Sequence, residues 1–125
     1  GLCDRLKFLG RVRHIPELLA AVDVVVVPSW DEGFSLVTIE AMAARRAVLA
    51  SNIGGIAGII KDNATGLLFP PRDVHALTDK LLYLVSDAPL RERLAAQAQR
   101  DVYSRFGRDQ VIERIESLYL EVLKR

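Results

Sequence analysis

Pro28-Ser29-Trp30-Asp31-Glu32-Gly33-Phe34-Ser35-Leu36-Val37-Thr38-Ile39-Glu40-Ala41-Met42-Ala43-Ala44 is the stretch on which the fold turns. It follows Val24-Val25-Val26-Val27, four β-branched residues that Pro28 stops. Consecutive valines without alternation predict a strand covered on both faces, as in a parallel sheet. Ser35 is placed to cap a helix running to about Ala44. Between strand and helix lies a loop in which Gly33 lets the backbone approach a ligand. Open parallel sheets hold their ligands beyond the carboxyl ends of the strands, where this loop falls. A helix N-terminus there offers unpaired N–H groups and about half a positive charge, which suits a diphosphate. The amides of Ser35, Leu36 and Val37 are the natural donors.

Outward from that stretch, strands and helices alternate. Leu6 to Leu9 reads as a short strand closed by Gly10, and Pro16 as the start of a helix with Leu18, Leu19 and Val22 on its apolar face. Val48-Leu49-Ala50 is a further strand, ended by Ser51-Asn52 and the Gly54-Gly55 loop. A short helix near Ala57 to Lys61, a turn at Asp62-Asn63 and a strand over Gly66 to Phe69 follow. Beyond Pro70-Pro71 the chain is helical. Asp73 caps one helix, Pro89 sits in the first turn of the next, and Val111, Ile115, Leu118 and Val122 form the stripe of the last. The expected fold is one α/β domain: a Rossmann-like parallel sheet of about four strands with a helical C-terminal tail. The final stripe is expected to dock on the domain's own sheet.

Two carboxylates stand out. Glu40 lies among Leu36, Val37, Ile39, Ala41, Met42, Ala43 and Ala44, and a helix apolar on every side is expected to be buried. A carboxylate inside it needs a partner, since burying it unpaired costs several kcal/mol. The cis-diol of a ribose offers two donors at a matching separation; an ion pair with Arg11 or Arg13, or a bond to loop amides, would serve equally. Glu32, in the loop before the helix, could accept from sugar hydroxyls or stabilise positive charge developing at an anomeric carbon. The alternative is a solvated loop side chain.

Composition removes other classes. Seventeen basic and sixteen acidic side chains give a net charge of +1, so no concentrated basic surface invites nucleic acid. No apolar run approaches the ~20 residues that span a bilayer. The single cysteine, Cys3, excludes an internal disulfide and a cysteine-based zinc cluster, fits a reducing, cytoplasmic compartment, and is expected to be buried. His14 and His75 are isolated from each other and are read as surface or capping residues rather than catalytic ones. No G-x-G-x-x-G follows a strand, which argues against a dinucleotide-dependent oxidoreductase. The opening Gly1-Leu2-Cys3-Asp4-Arg5 runs almost at once into the first apolar segment, as expected of a piece of a longer protein.

Glu32-Gly33-Phe34 followed by Glu40, with seven residues between the two glutamates, and then Glu40-Ala41-Met42-Ala43-Ala44 resemble the signature of the retaining glycosyltransferases of family 4. The surroundings share the likeness: Phe8-Leu9-Gly10-Arg11-Val12, Ala21-Val22-Asp23, Pro28-Ser29, Ser51 to Gly55, Asn63-Ala64-Thr65-Gly66-Leu67-Leu68-Phe69, and the tail from Asp73 through Pro89-Leu90. The resemblance implies a GT-B architecture, two Rossmann-like domains about a cleft. Residues 1–125 would be part of the C-terminal, nucleotide-sugar-binding domain, with the acceptor domain outside the chain and the fragment inactive alone. It implies a hexosyltransferase in which Glu32 is the catalytic residue at the donor sugar. Gly33, Phe34, Ser35, Leu36 and Val37 would serve the sugar and diphosphate, Glu40 the ribose, and Gly10, Arg11 and Val12 the base. No metal and no cofactor besides the nucleotide sugar are expected. A non-catalytic nucleotide-sugar binding module is the alternative. Self-association of the fragment through an unpaired sheet edge is also expected. Two departures stand out: Arg45-Arg46-Ala47 where the family has glycine-x-proline, and Ala57-Gly58 where a proline-glutamate pair is common.

Overall fold

Ala47–Ser51 is buried at every position and forms the central strand, β2, of the computed structural model, which describes residues 1–124. On one side it pairs in parallel with β1 (Val24–Val27), Val25 opposite Val48; on the other with β3 (Leu67–Phe69), Ala50 opposite Leu68. The sheet has three strands in the order β1-β2-β3. Its alternating side chains feed two cores. Val48, Ala50 and Leu68 pack with Ala41, Met42, Ile56, Ala98 and Val102 on one face. Ala47, Leu49, Leu67 and Phe69 pack with Leu84, Leu90 and Leu94 on the other. Burial on both faces is why these strands read as continuous apolar runs.

Besides a 3-10 helix at Leu2–Arg5, the described residues form six α-helices: α1 (Ile15–Ala20), α2 (Leu36–Ala43), α3 (Gly54–Ala57), α4 (Val74–Ser86), α5 (Ala88–Phe106) and α6 (Arg108–Leu123). Asp73 caps α4 by accepting from the Ala76 N–H at 2.9 Å, and Asp87 caps α5 by accepting from Leu90 at 2.8 Å. α5 reaches both cores: Leu90 and Leu94 fill the second, Ala98 and Val102 the first.

Four expectations need correction. Leu6 to Leu9 is not a strand; nothing in the described chain pairs with it, and Leu6, Phe8 and Leu9 are exposed. An extended segment becomes a strand only through a partner. The short helix begins at Gly54 rather than near Ala57, with Gly55 in its first turn packed against another loop, as described below. The stripe on α6 does not dock on the sheet: α6 has no buried residue, and Leu118 and Val122 are about 60 % exposed. Cys3, too, is exposed rather than buried.

The Arg45-Arg46 departure has a visible cost. Arg45 N–H donates to Met42 O and Arg46 N–H to Ala41 O, both at 3.0 Å, the paired bonds of a Schellman ending. That ending puts Arg45 at φ 56°, in the left-handed region that favours glycine. Arg45 pairs with Glu92, but both side chains are largely exposed, and such pairs contribute little. Arg46 turns inward instead of into solvent: its Nη1 donates to Val22 O at 3.2 Å. Replacing Arg45 by glycine should therefore raise stability by about 0.5–1 kcal/mol, read as a higher urea midpoint at unchanged slope. Glu92→Ala, measured alongside, isolates the ion pair.

Candidate functional site

The loop from Pro28 to Ser35 leaves β1 at its carboxyl end and enters α2. Glu32 is half-buried there and accepts from the Ser29 hydroxyl at 3.1 Å. Its main-chain oxygen accepts from the Gly55 N–H at 3.1 Å. A Cβ at Gly55 would collide with the carbonyl oxygens of Glu32 and Gly33, whereas one at Gly33 or Gly54 would meet open space. Among these glycines, the steric need for glycine within the chain thus lies at 55, on the neighbouring loop.

Ser35 begins α2 but makes no side-chain cap; its buried Oγ accepts from the Thr38 hydroxyl at 2.9 Å. Among the described residues the N–H groups of Ser35, Leu36 and Val37 make no backbone hydrogen bond, as helix geometry requires of a first turn. Leu36 and Val37 are exposed at this end of the helix, whereas Ser35 is wholly inaccessible, so only the former two stand open to a ligand.

Glu40 overturns the expectation of burial. Thr38, Ala41 and Met42 face the core, but Glu40 is exposed and its carboxylate has no hydrogen bond or ion pair among the described residues. Neither Arg11 nor Arg13 reaches it. It lines a hollow of about 340 Å³ whose other walls are Ile15, Pro16 and Leu19 from α1, Ala43 and Ala44 from α2, and Tyr103 from α5. The helix has an open side at its apolar Leu36–Val37–Glu40 face, which composition alone could not distinguish from a buried one.

The remaining expected residues do not line the hollow. Gly10, at φ 59°, and the exposed Arg11 form the bend before α1, and Val12 is half-buried there. Phe34 meets Phe106 edge to face, with ring centroids 5.9 Å apart. Trp30 is exposed, with the Arg72 guanidinium 5.1 Å from its ring centroid. Among the described residues no group of three or more His, Cys, Asp and Glu side chains comes together, and no helix is long and apolar enough to cross a membrane.

Sequence reasoning missed the contributions of α5. Tyr103 walls the hollow, and Arg105 and Phe106 bear on the loops; all three come from more than sixty positions downstream of Glu40. Only the helical spacing of α5 was visible. Asp101, buried on the same helix, accepts from Lys61 Nζ at 2.5 Å and Arg105 Nη1 at 2.8 Å. Burial pushes its carboxyl upward, but the hydrogen bonds from Lys61 and Arg105, with their charges, outweigh that and hold it below the ordinary value of 3.8.

The sequence pattern described as Glycosyl transferases group 1 matches residues 1–101. The chain belongs to that family. It is 32% identical over 121 residues to N-acetyl-alpha-D-glucosaminyl L-malate synthase of Bacillus anthracis, covering 97% of this chain and 32% of that protein. Among solved structures it superimposes on sucrose-phosphate synthase from Thermosynechococcus elongatus with a TM-score of 0.90 and 33% identity, covering 98% of this chain and 31% of the other. Anabaena Alr3699/HepE in complex with UDP gives 0.85 and 31%, covering 94% and 34%; the same protein with UDP-glucose gives 0.80 and 29%, covering 91% and 33%. The chain spans about a third of the length of these relatives. The fold is that of a GT-B glycosyltransferase C-terminal domain, parallel sheet and helical tail included.

Two outcomes follow from the contacts around the loops. Gly55→Ala should destabilise the chain by about 1–3 kcal/mol and loosen the neighbouring loop, read as lower anisotropy of Trp30, the single tryptophan. Gly54→Ala, with open space at its Cβ, should do neither. A carboxyl lowered on folding contributes stability that is complete above its unfolded value, about pH 4, and is lost as pH falls through the folded value. Asp101→Asn should therefore flatten the decline in stability below pH 4 that the unsubstituted chain shows in acid titrations of its urea midpoint.

Proposed function

We propose that the chain is the nucleotide-sugar-binding domain of a retaining, family 4 hexosyltransferase, which moves a sugar from a nucleoside diphosphate to an acceptor. The observation that carries this is Glu40: an unpartnered carboxylate in a hollow, four residues along α2 from its free N-terminal amides. Four residues of helix rise about 6 Å, a separation suited to a diphosphate at the helix start and a ribose diol at Glu40. UDP and UDP-glucose bound to the Anabaena relative support the same class of ligand.

In this scheme the diphosphate rests on the amides of Leu36 and Val37, favoured by the helix dipole, with the buried Ser35 shaping the turn beneath them. Gly33 and Phe34 border the sugar, and Gly10, Arg11 and Val12 lie beside the base. Glu32, its carboxylate oriented by Ser29, positions the donor sugar and stabilises charge at its anomeric carbon. The bond from that carbon to the diphosphate breaks, and one to the acceptor oxygen forms on the same face. The acceptor's proton passes to the leaving phosphate. No metal enters the scheme, because main-chain donors meet the phosphate charge. An acceptor domain completes the cleft, and the chain alone is inactive, self-associating and, with a free thiol at Cys3, cytoplasmic.

A second reading, a nucleotide-sugar binding module without turnover, is favoured by Ala57-Gly58, which leaves the segment after Gly55 without an acid. In a full-length parent, Glu32→Ala should abolish transfer while UDP still binds; an unchanged rate would remove Glu32 from the chemistry. In the 125-residue chain, UDP titrated under NMR observation should bind in the millimolar range, and Glu40→Ala should weaken it about tenfold, the loss of hydrogen bonds to a charged group. Micromolar binding by the isolated chain would contradict an incomplete site.

A further inference from the structure

Three contacts tether the loop from Pro28 to Ser35 to other parts of the chain: Trp30 to Arg72, Glu32 to Gly55, and Phe34 to Phe106. Two of the three lead to the last turn of α5. Phe106 meets the ring of Phe34 directly, at an interplanar angle of 69°, an edge-to-face arrangement in which a positive ring edge meets a negative face. The other route passes through Arg105. Its Nη1 donates to Ile59 O at 2.9 Å and its Nη2 to Gly58 O at 2.5 Å. Those carbonyls lie just beyond α3, the helix that carries Gly55 and hence the bond to Glu32.

Arg105 is itself held in place. Asp101, one turn back on α5, accepts from its Nη1 at 2.8 Å, and the guanidinium lies 4.8 Å from the ring centroid of Phe106. The planar fork spans a carboxylate and two carbonyls at once, which an ammonium group cannot reproduce. Gly107 ends the turn; a Cβ there would collide with Tyr103 O and the Gln110 side chain. Neither Arg105 nor Phe106 lines the hollow beside Glu40.

We propose that Arg105 and Phe106 are positioning residues for the loop that carries Glu32: α5 fixes both this loop and the segment packed against it, and so sets where Glu32 stands relative to the first turn of α2. What the loop then binds rests on the function proposed above, but the placement does not, so the test uses no ligand and the two can fail separately.

Backbone amide exchange of the 125-residue chain reads the placement. The Gly55 amide, bonded to Glu32 O, and the Ile39 amide, bonded to Ser35 O, report the loop; Val48 and Leu49, in the buried strand β2, report global opening. Phe106→Ala and Arg105→Lys should speed exchange at Gly55 about tenfold or more while Val48 and Leu49 keep their rates, the pattern of local opening. Phe106→Tyr, which keeps the ring, should restore the original Gly55 rate. Unchanged exchange at Gly55 in both variants would overturn the proposal. So would acceleration of Val48 and Leu49 in step with Gly55, which would mean that the last turn of α5 only stabilises the fold. A variant too unstable to fold is replaced by Phe106→Leu or Arg105→Gln and judged by the same two rates.

Discussion

Backbone pressed on backbone at Gly55 is the constraint from which the rest of the site follows. Two loops leave neighbouring parallel strands, β1 and β2, at the same end of the sheet, and they can share that space only where one of them has no side chain. The Gly55 N–H then meets Glu32 O at 3.1 Å, so the two loops are tied through main-chain atoms that no substitution of polar side chains could replace. The steric limit at Gly55 and the hydrogen bond act in the same direction. Together they bring the loop's glutamate to the start of α2 without using its carboxylate, which stays available beside Ser29.

α2 shows how little a helix's composition says about its surroundings. Its inner face is fully packed, with Ala41 and Met42 wholly inaccessible. Its outer face, Leu36, Val37 and Glu40, is open, although two of those three are apolar. In water an exposed carboxylate needs no partner, so the desolvation cost that burial would impose on Glu40 is absent. What distinguishes the residue is placement: it stands alone as the charged side chain in an otherwise apolar hollow, four residues along the helix from Leu36.

Much of the architecture was legible because local rules suffice for it. Pro28 ends β1, Asp73 caps α4, and the run Val48-Leu49-Ala50 is apolar because β2 is central and covered on both faces. The errors arose where structure depends on something distant. Leu6 to Leu9 has strand-like residues but no neighbouring strand; the stripe of α6 has helical periodicity but no surface to meet on this domain. The hollow beside Glu40 needed Tyr103, and the loop needed Phe106; neither is marked in sequence, since an aromatic residue on a helix gives no sign of which loop it will touch. The departure at Arg45 was legible, because a left-handed helix ending is a local demand that the wrong residue leaves visible.

The path of α5 carries a consequence for synthesis. Its first half completes one core and its second half the other, yet it follows every strand in the chain. A ribosome releasing the polypeptide from its N-terminus exposes β1, β2 and β3 well before residues 90–102 emerge. Through that interval the valine- and leucine-rich sheet has neither face finished, the condition under which nascent chains associate with one another or with chaperones. Covering of both faces is therefore completed only once this helix has emerged.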